Sequence, residues 1–233
     1  MPGYGLPGPS WDRQVVTMTT KTARSDRVTA TREAILTTAE RLFAEHGVNA
    51  VSNRQISEAA GQGNTAAVGY HFGTKADLVR AIVRKHTAEM ERIRDRMVAE
   101  AGESDDPRDW IACMVRPAAE HLAALGNPTW FARFSAQVTT DPALRDIFAE
   151  DALSSPSMVK TLEGLKRCLP ELPPEVRAER SAMMRQLMVH MNAERERALA
   201  DGTATPRQNW HDAATGMIDA IVGIWMAPVT PAS

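Results

Sequence analysis

Cysteine is nearly absent from this chain: Cys113 and Cys168 are the whole supply in 233 residues. Two thiols so far apart in sequence suggest neither a disulfide framework nor a zinc site, so structural thiols in a reducing cytoplasm are expected. Aromatic residues are also scarce, at 5%. Ala, Leu, Met and Arg are abundant instead, and that composition favours helices over sheets. No apolar run approaches the roughly 20 residues that cross a bilayer. The longest, Met217 to Ala227, is interrupted by Asp219, so no membrane anchor is expected.

Catalytic patterns are missing as well. The stretch Gly69 to Lys75, GYHFGTK, superficially resembles a phosphate-binding loop, but that loop needs four residues between its glycines and a Ser or Thr after the lysine. Here three residues separate Gly69 from Gly73, and Thr74 precedes Lys75. No H-E-x-x-H and no G-x-S-x-G occurs. His46, His71, His86, His121, His190 and His211 are scattered singly, a pattern that fits hydrogen-bonded structural residues better than ligands or bases. No catalytic residue, metal site or cofactor is expected.

Net charge is −2, which argues against a general nucleic-acid coat. Its distribution is uneven. Thr19 to Lys85 carries ten Lys and Arg against six Asp and Glu, whereas His86 to Ser233 carries sixteen against twenty-two. A basic amino-terminal part on an acidic body suits a modular DNA binder, because cations belong where phosphate is met.

The stretch present in place of those missing features is Ser52 to Lys75. Ser52 with Gln55 three residues on makes a capping box for a short helix, which Gly61 ends. A second short helix can start at Asn64 or Thr65, both good caps, and run to Phe72 before Gly73. Two short helices and a tight turn form a helix-turn-helix. Neither helix buries enough to stand alone, so the flanks must supply a platform. Upstream, after Thr31, Ile35, Leu36, Ala39, Leu42 and Phe43 share one helical face up to Gly47; downstream, Thr74 and Asp77 open a long helix with Leu78, Ile82, Met90, Ile93 and Met97 on one side.

These residues resemble the tetracycline-repressor (TetR) family of bacterial transcription regulators. The resemblance rests on Phe43, Gly47, Ile56, Ala60-Gly61, Tyr70-His71-Phe72 and Lys75 followed by Leu78, and covers about a quarter of the chain. Gly61 to Gly63 is one residue longer than the commonest turn of that family and leaves the register of the second helix open by one position. The resemblance implies a homodimer on a palindromic operator in double-stranded DNA, with Tyr70, His71 and Lys75 facing phosphates.

From the residues themselves, Gln62, Asn64 and Thr65 at the start of the second helix are placed to reach base edges in a major groove. Gln and Asn can each pair twice with adenine, and Thr offers a methyl to thymine. Capping alone is the other reading of Asn64 and Thr65. Arg54 on the first helix completes the DNA-binding set. Gly69, inside the second helix, suggests close approach of a neighbour.

The chain is expected to be all-α in three parts: a disordered arm over 1–24, a helix-turn-helix domain over 25–80, and a larger helical ligand-binding and dimerisation domain over 81–228. Residues 1 to 18 are Pro- and Gly-rich without a signal-peptide pattern, and Met18 is expected to be a functional start. Lys21, Arg24 and Arg27 on the arm can touch phosphate or a minor groove, or form a solvated tail. Beyond Gly102, helices are expected over Pro107–Leu125, after Asn127-Pro128, from after Asp141-Pro142 through Phe148 to Leu169 with a break near Ser154 to Ser157, from Pro173-Pro174 to Ala200, and from Pro206 onward.

Methionines and aromatics in this body suit a pliable, mostly apolar effector pocket. Met114, His121, Trp130, Phe131, Phe134, Gln137, Met184 and Met188 are its expected lining. Met184, Leu187 and Met191, with Trp210, Met217, Ile221 and Ile224, are the expected dimer face. Two functions fit: a repressor released from its operator by a small-molecule effector, or a helical binding or scaffolding protein whose helix-turn-helix is structural.

Overall fold

The computed structural model describes residues 11–230, which are helical with no strand among them. The order is α1 (Trp11–His46), α2 (Asn53–Ala59), α3 (Ala67–Phe72), α4 (Lys75–Ala101), α5 (Pro107–Leu125), α6 (Phe131–Thr140), α7 (Asp146–Ser154), α8 (Pro156–Cys168), α9 (Pro174–Ala200) and α10 (Trp210–Met226).

Local signals set most of these boundaries. Both predicted capping boxes form, Ser52 with Gln55 on α2 and Thr74 with Asp77 on α4. Gly61 turns the chain after α2 at φ +68°, a conformation that costs a side-chain-bearing residue about 1 kcal/mol or more. The expected break in the later stretch separates α7 from α8, where Ser155 caps the new helix and Pro156 starts it.

Three starts differ from expectation. Helix α1 begins at Trp11 rather than after Thr31, so the backbone of 11–24 is helical where a disordered arm was expected; residues 1–10 lie outside the described residues. No glycine or proline stands between Trp11 and His46 to break it. Helix α3 begins at Ala67, because Asn64 Oδ1 accepts from the Ala66 N–H at 2.9 Å and holds a turn ahead of the helix. Helix α10 begins at Trp210 rather than beside Pro206, since Asn209 accepts from the Asp212 N–H and makes the stronger cap.

Helix α4 runs from the helix-turn-helix into the body, packing on α1 and α3 at one end and on α5, α7 and α8 further along. Helix α5 packs on α10 and α8, while α6 lies between α1 and α9. Nearly all of the buried apolar residues, from Ile35 to Trp225, form one continuous cluster. Phe43 of α1 and Phe134 of α6, 6.3 Å apart and stacked, join the head to the body within it. Helices α5 and α8 approach so closely that a Cβ on Gly164 would lie 2.3 Å from the Trp110 indole.

The expected dimer face is corrected in part. Met184, Trp210, Met217 and Ile221 are buried within the chain's own core, and Leu187 and Ile224 are half-buried. Met191 is 52% exposed, and its apolar companions at the surface are Met183 on α9 and Met226 at the end of α10.

Candidate functional site

The helix-turn-helix presents an exposed polar surface. Asn64, Thr65, Gly69 and Tyr70 face solvent, Tyr70 with 83% of its surface free. Beneath them Ala67, Val68 and Phe72 are buried against the platform, and Ser57 donates from α2 to the Thr65 carbonyl at 3.1 Å. Arg32 of α1 stacks on the Phe72 ring at 4.1 Å and donates to the His71 carbonyl, which fixes the end of α3. A side chain at Gly69 would meet nothing within 4 Å, so no neighbour in the chain explains that glycine.

The predicted residues differ in how free they are. Arg54 is exposed and pairs with Glu58 one turn on, at 2.7 Å; that hydrogen bond and its charge raise the guanidinium pKa above its ordinary value. Gln62 is half-buried, its amide donating to the Ala60 carbonyl. Thr65 keeps its side chain in solvent, while Asn64 uses its oxygen in the turn. Lys75 is placed differently from expectation: its ammonium donates to the carbonyls of Val48 and Val51, at 3.1 and 2.7 Å. It ties the loop after α1 to the start of α4, a structural task that an outward lysine cannot perform.

The body contains a cavity of about 530 Å³ between α4, α5, α6, α7, α8 and α9, with Met217 of α10 in its wall. Met114, Phe131 and Met188 line it as expected, together with Met90, Met158 and Met217. Trp130, Phe134, His121, Gln137 and Met184 are elsewhere. Phe134 is fully buried in the head–body core, and Gln137 is exposed near Gly47. Met184 lines a smaller cavity of about 190 Å³, where the Trp225 indole donates to its sulfur. The polar side chains in the large cavity's wall, Arg94, Glu91, Thr87, Ser135 and Asn192 among them, were not anticipated.

Behind that wall lies a buried polar chain. His86 Nε2 is 2.9 Å from Glu40 of α1, and His86 Nδ1 is 2.7 Å from His121 Nε2 of α5. All three residues are at most 7% exposed. One proton on each ring satisfies the chain, with His86 donating to Glu40 and His121 donating to His86. Burial and then the neighbouring His86 push the His121 pKa down to about 4. Phe131, a cavity-lining ring, stacks on His86 at 3.9 Å. Cavity, α4 and the head are thus in contact through Phe131, His86 and Glu40.

The wall is anchored by further buried bridges. Glu196 of α9, 1% exposed, accepts from the N–H groups of Ala132 and Arg133, from the Thr129 hydroxyl and from the Arg133 guanidinium. It thereby caps α6, whose first turn carries Phe131. Among the described residues no cluster of His, Cys, Asp and Glu could hold a metal ion, and no helix is long and apolar enough to cross a membrane.

Residues 35–82 match the family described as bacterial regulatory proteins, tetR family, and residues 112–223 match the tetracyclin repressor-like C-terminal domain. The chain is similar to the HTH-type transcriptional repressor AcnR of Corynebacterium glutamicum, 31% identical over 128 residues, covering 53% of this chain and 58% of that one. Against AcnR of Corynebacterium efficiens the identity is 35% over 95 residues, covering 39% and 50%. The matches thus span little more than half the length of these curated relatives. Among solved structures, a TetR-family regulator of Streptomyces coelicolor is 20% identical with a TM-score of 0.44, over 84% of this chain and 94% of that one. The TetR-like regulator LfrR of Mycobacterium smegmatis, solved with proflavine, is 20% identical with a TM-score of 0.46, over 87% and 98%.

Proposed function

The chain belongs to the tetR family of bacterial regulatory proteins, and from that premise we propose that it is a sequence-specific, DNA-binding transcriptional repressor released from its operator by a small, mostly apolar effector. The observation that carries the reading is the outer surface of α3 and of the turn leading into it: Asn64 and Thr65 in the turn and Tyr70 on the helix are solvent-exposed, beside a buried Ala67, Val68 and Phe72 that anchor the element. Exposed groups on a fixed helix are what base and phosphate contact needs. Thr65 and Asn64 are assigned to base edges, and Arg54, Tyr70 and His71 to phosphates.

The head is assigned to residues 25–80 and the effector and dimer domain to 81–228, with the protein acting as a cytoplasmic homodimer. Exposed Met183 and Met191 on α9 and Met226 at the end of α10 support pairing of those helices with a second copy. Two copies would set their α3 helices about 34 Å apart, one turn of a palindromic operator. An effector in the cavity would press on Phe131, and the stacked His86 and its partner Glu40 would carry that displacement into α1. The differential affinity required is modest, about 1–3 kcal/mol. A gel shift on the DNA upstream of its own gene tests the reading: retention of that DNA over shuffled DNA supports it, and equal retention removes it.

A further inference from the structure

We propose that the effector of the large cavity is an apolar molecule that donates hydrogen bonds, an alcohol or a protonated amine rather than a carboxylate; this rests on reading the cavity as the effector site. Four hydroxyl side chains belong to its wall: Thr87, Ser135, Ser154 and Ser155. A hydroxyl has one hydrogen to give and two lone pairs to offer. In each of the four the hydrogen is already committed. Thr87 donates to the Val83 carbonyl at 3.0 Å, Ser135 to the Phe131 carbonyl at 2.7 Å, Ser154 to the Asp151 carbonyl at 2.7 Å, and Ser155 to Glu91. What the hydroxyls retain for a ligand is acceptor capacity.

The charged groups point the same way. Arg94, only 7% exposed, is the buried cation of the wall, but its Nε donates to the Cys113 carbonyl and its Nη1 to Glu91 at 3.1 Å. Glu91 also accepts from the Ser157 N–H and hydroxyl. Burial raises its pKa, yet the hydrogen bonds from Ser155 and Ser157 and the charge of Arg94 outweigh that and hold the carboxyl below its ordinary range. An anion reaching for Arg94 therefore meets an ionised carboxylate beside it. Its buried donors would be few, chiefly the Asn192 amide and the remaining nitrogen of Arg94, while the other cation of the wall, Arg84, is exposed and keeps its charge in water; burying a charge so poorly compensated is unfavourable. Asp151 adds a second carboxylate to the wall, opposite in sign to the exposed Arg84. The apolar remainder, with Met90, Met114, Met158 and Met188 as pliable surface, accommodates ligand bodies of varied shape but does not discriminate head groups.

Calorimetry on the full chain at neutral pH, with phenylbutylamine, phenylbutanol, its methyl ether and phenylbutyrate as probes, tests the assignment. These share one apolar body and differ in what the head group gives. The amine and the alcohol are expected to bind at least about ten-fold tighter than the ether and the carboxylate, the scale of one to two net hydrogen bonds. The near-isosteric Thr87→Val with Ser135→Ala should shrink the alcohol-to-ether ratio toward one, and Met114→Trp should abolish binding of all four. Should a variant fail to fold, the ranking of the four probes on the natural chain decides alone. Binding of phenylbutyrate as tight as the amine overturns the ligand class while leaving the cavity as effector site. Binding undiminished by Met114→Trp, or no heat from any probe at millimolar concentration, overturns the cavity reading itself.

Discussion

Head and body are held by opposite kinds of polar contact. In the head, Ser52 bonds Gln55, Asn64 bonds Ala66 and Thr74 bonds Asp77, each within three residues and each exposed. In the body, Glu196 reaches Thr129 and Arg133, His86 reaches Glu40 and His121, and Arg180 donates to the carbonyls of Trp225 and Ala227 at the end of the next helix. A cap shapes its own turn and contributes about 1 kcal/mol. A buried bridge fixes one helix against another, and removing one partner leaves an uncompensated charge. The head's helix ends are therefore set mostly locally, whereas the body's geometry, including the wall of the cavity, hangs on a few long-range contacts.

The contrast can be broken at its strong end by Glu196→Ala, which should destabilise the fold by about 3 kcal/mol because the half-buried Arg133, the first N–H groups of α6 and the Thr129 hydroxyl lose their shared acceptor. Denaturant unfolding reads this directly; a loss below 1 kcal/mol would mean that the bridge is not structural.

The next effect depends on pH. His121 has its pKa lowered from 6.5 to about 4, so the folded state binds fewer protons than the unfolded state between those values. Stability should fall as pH drops from 6.5 toward 4, by up to about 3 kcal/mol from this group. His121→Gln should lower stability at neutral pH but flatten that decline. A variant that tracks the natural protein in parallel from pH 6.5 to 4 would falsify the assignment.

Thr65→Ala should relax base preference at one operator position by about 1–3 kcal/mol with the fold unchanged, while Arg54→Ala should weaken all DNA alike and reduce the salt slope by about one. Competition binding with single-base operator variants distinguishes the two. Smallest of all, Ser52→Ala should reduce stability by about 1 kcal/mol. Lys75→Ala sharpens the comparison, because its bonds to Val48 and Val51, like that of Arg32 to the His71 carbonyl, are the head's longer-range contacts. It should lower the melting temperature as well as DNA affinity, whereas a purely phosphate-facing lysine would leave melting unchanged.

The same division explains what was legible in the sequence. The boxes at Ser52 and Thr74 and the stops at Gly47, Gly61 and Gly73 are written in neighbouring residues, so the helix-turn-helix could be placed from the chain alone. The starts of α3 and α10 were misplaced because two caps competed within a few residues, and Asn64 and Asn209 settled which helix turn forms. In the cavity, apolar character identified Met114, Phe131 and Met188. It could not exclude Trp130, Phe134, His121, Gln137 and Met184, because which side of a helix faces the cavity depends on how helices cross. The polar chain of Glu40, His86 and His121 was missed although a signal existed: His86 interrupts the apolar stripe of Ile82, Val83, Met90 and Ile93 on α4. A polar residue on an apolar face requires a buried partner, and only the fold shows that the partners come from α1 and α5.

The central claim is that the exposed surface of α3 and the turn leading into it reads DNA sequence. Fluorescence anisotropy with the protein's own upstream DNA and a shuffled duplex of equal composition, at near-physiological salt, tests it most directly. The account predicts at least about a thousand-fold tighter binding to the upstream duplex, with Thr65→Ala eroding that ratio and leaving the shuffled-duplex affinity in place. Equal affinity for the two duplexes, or an equal loss on both from Thr65→Ala, would contradict it.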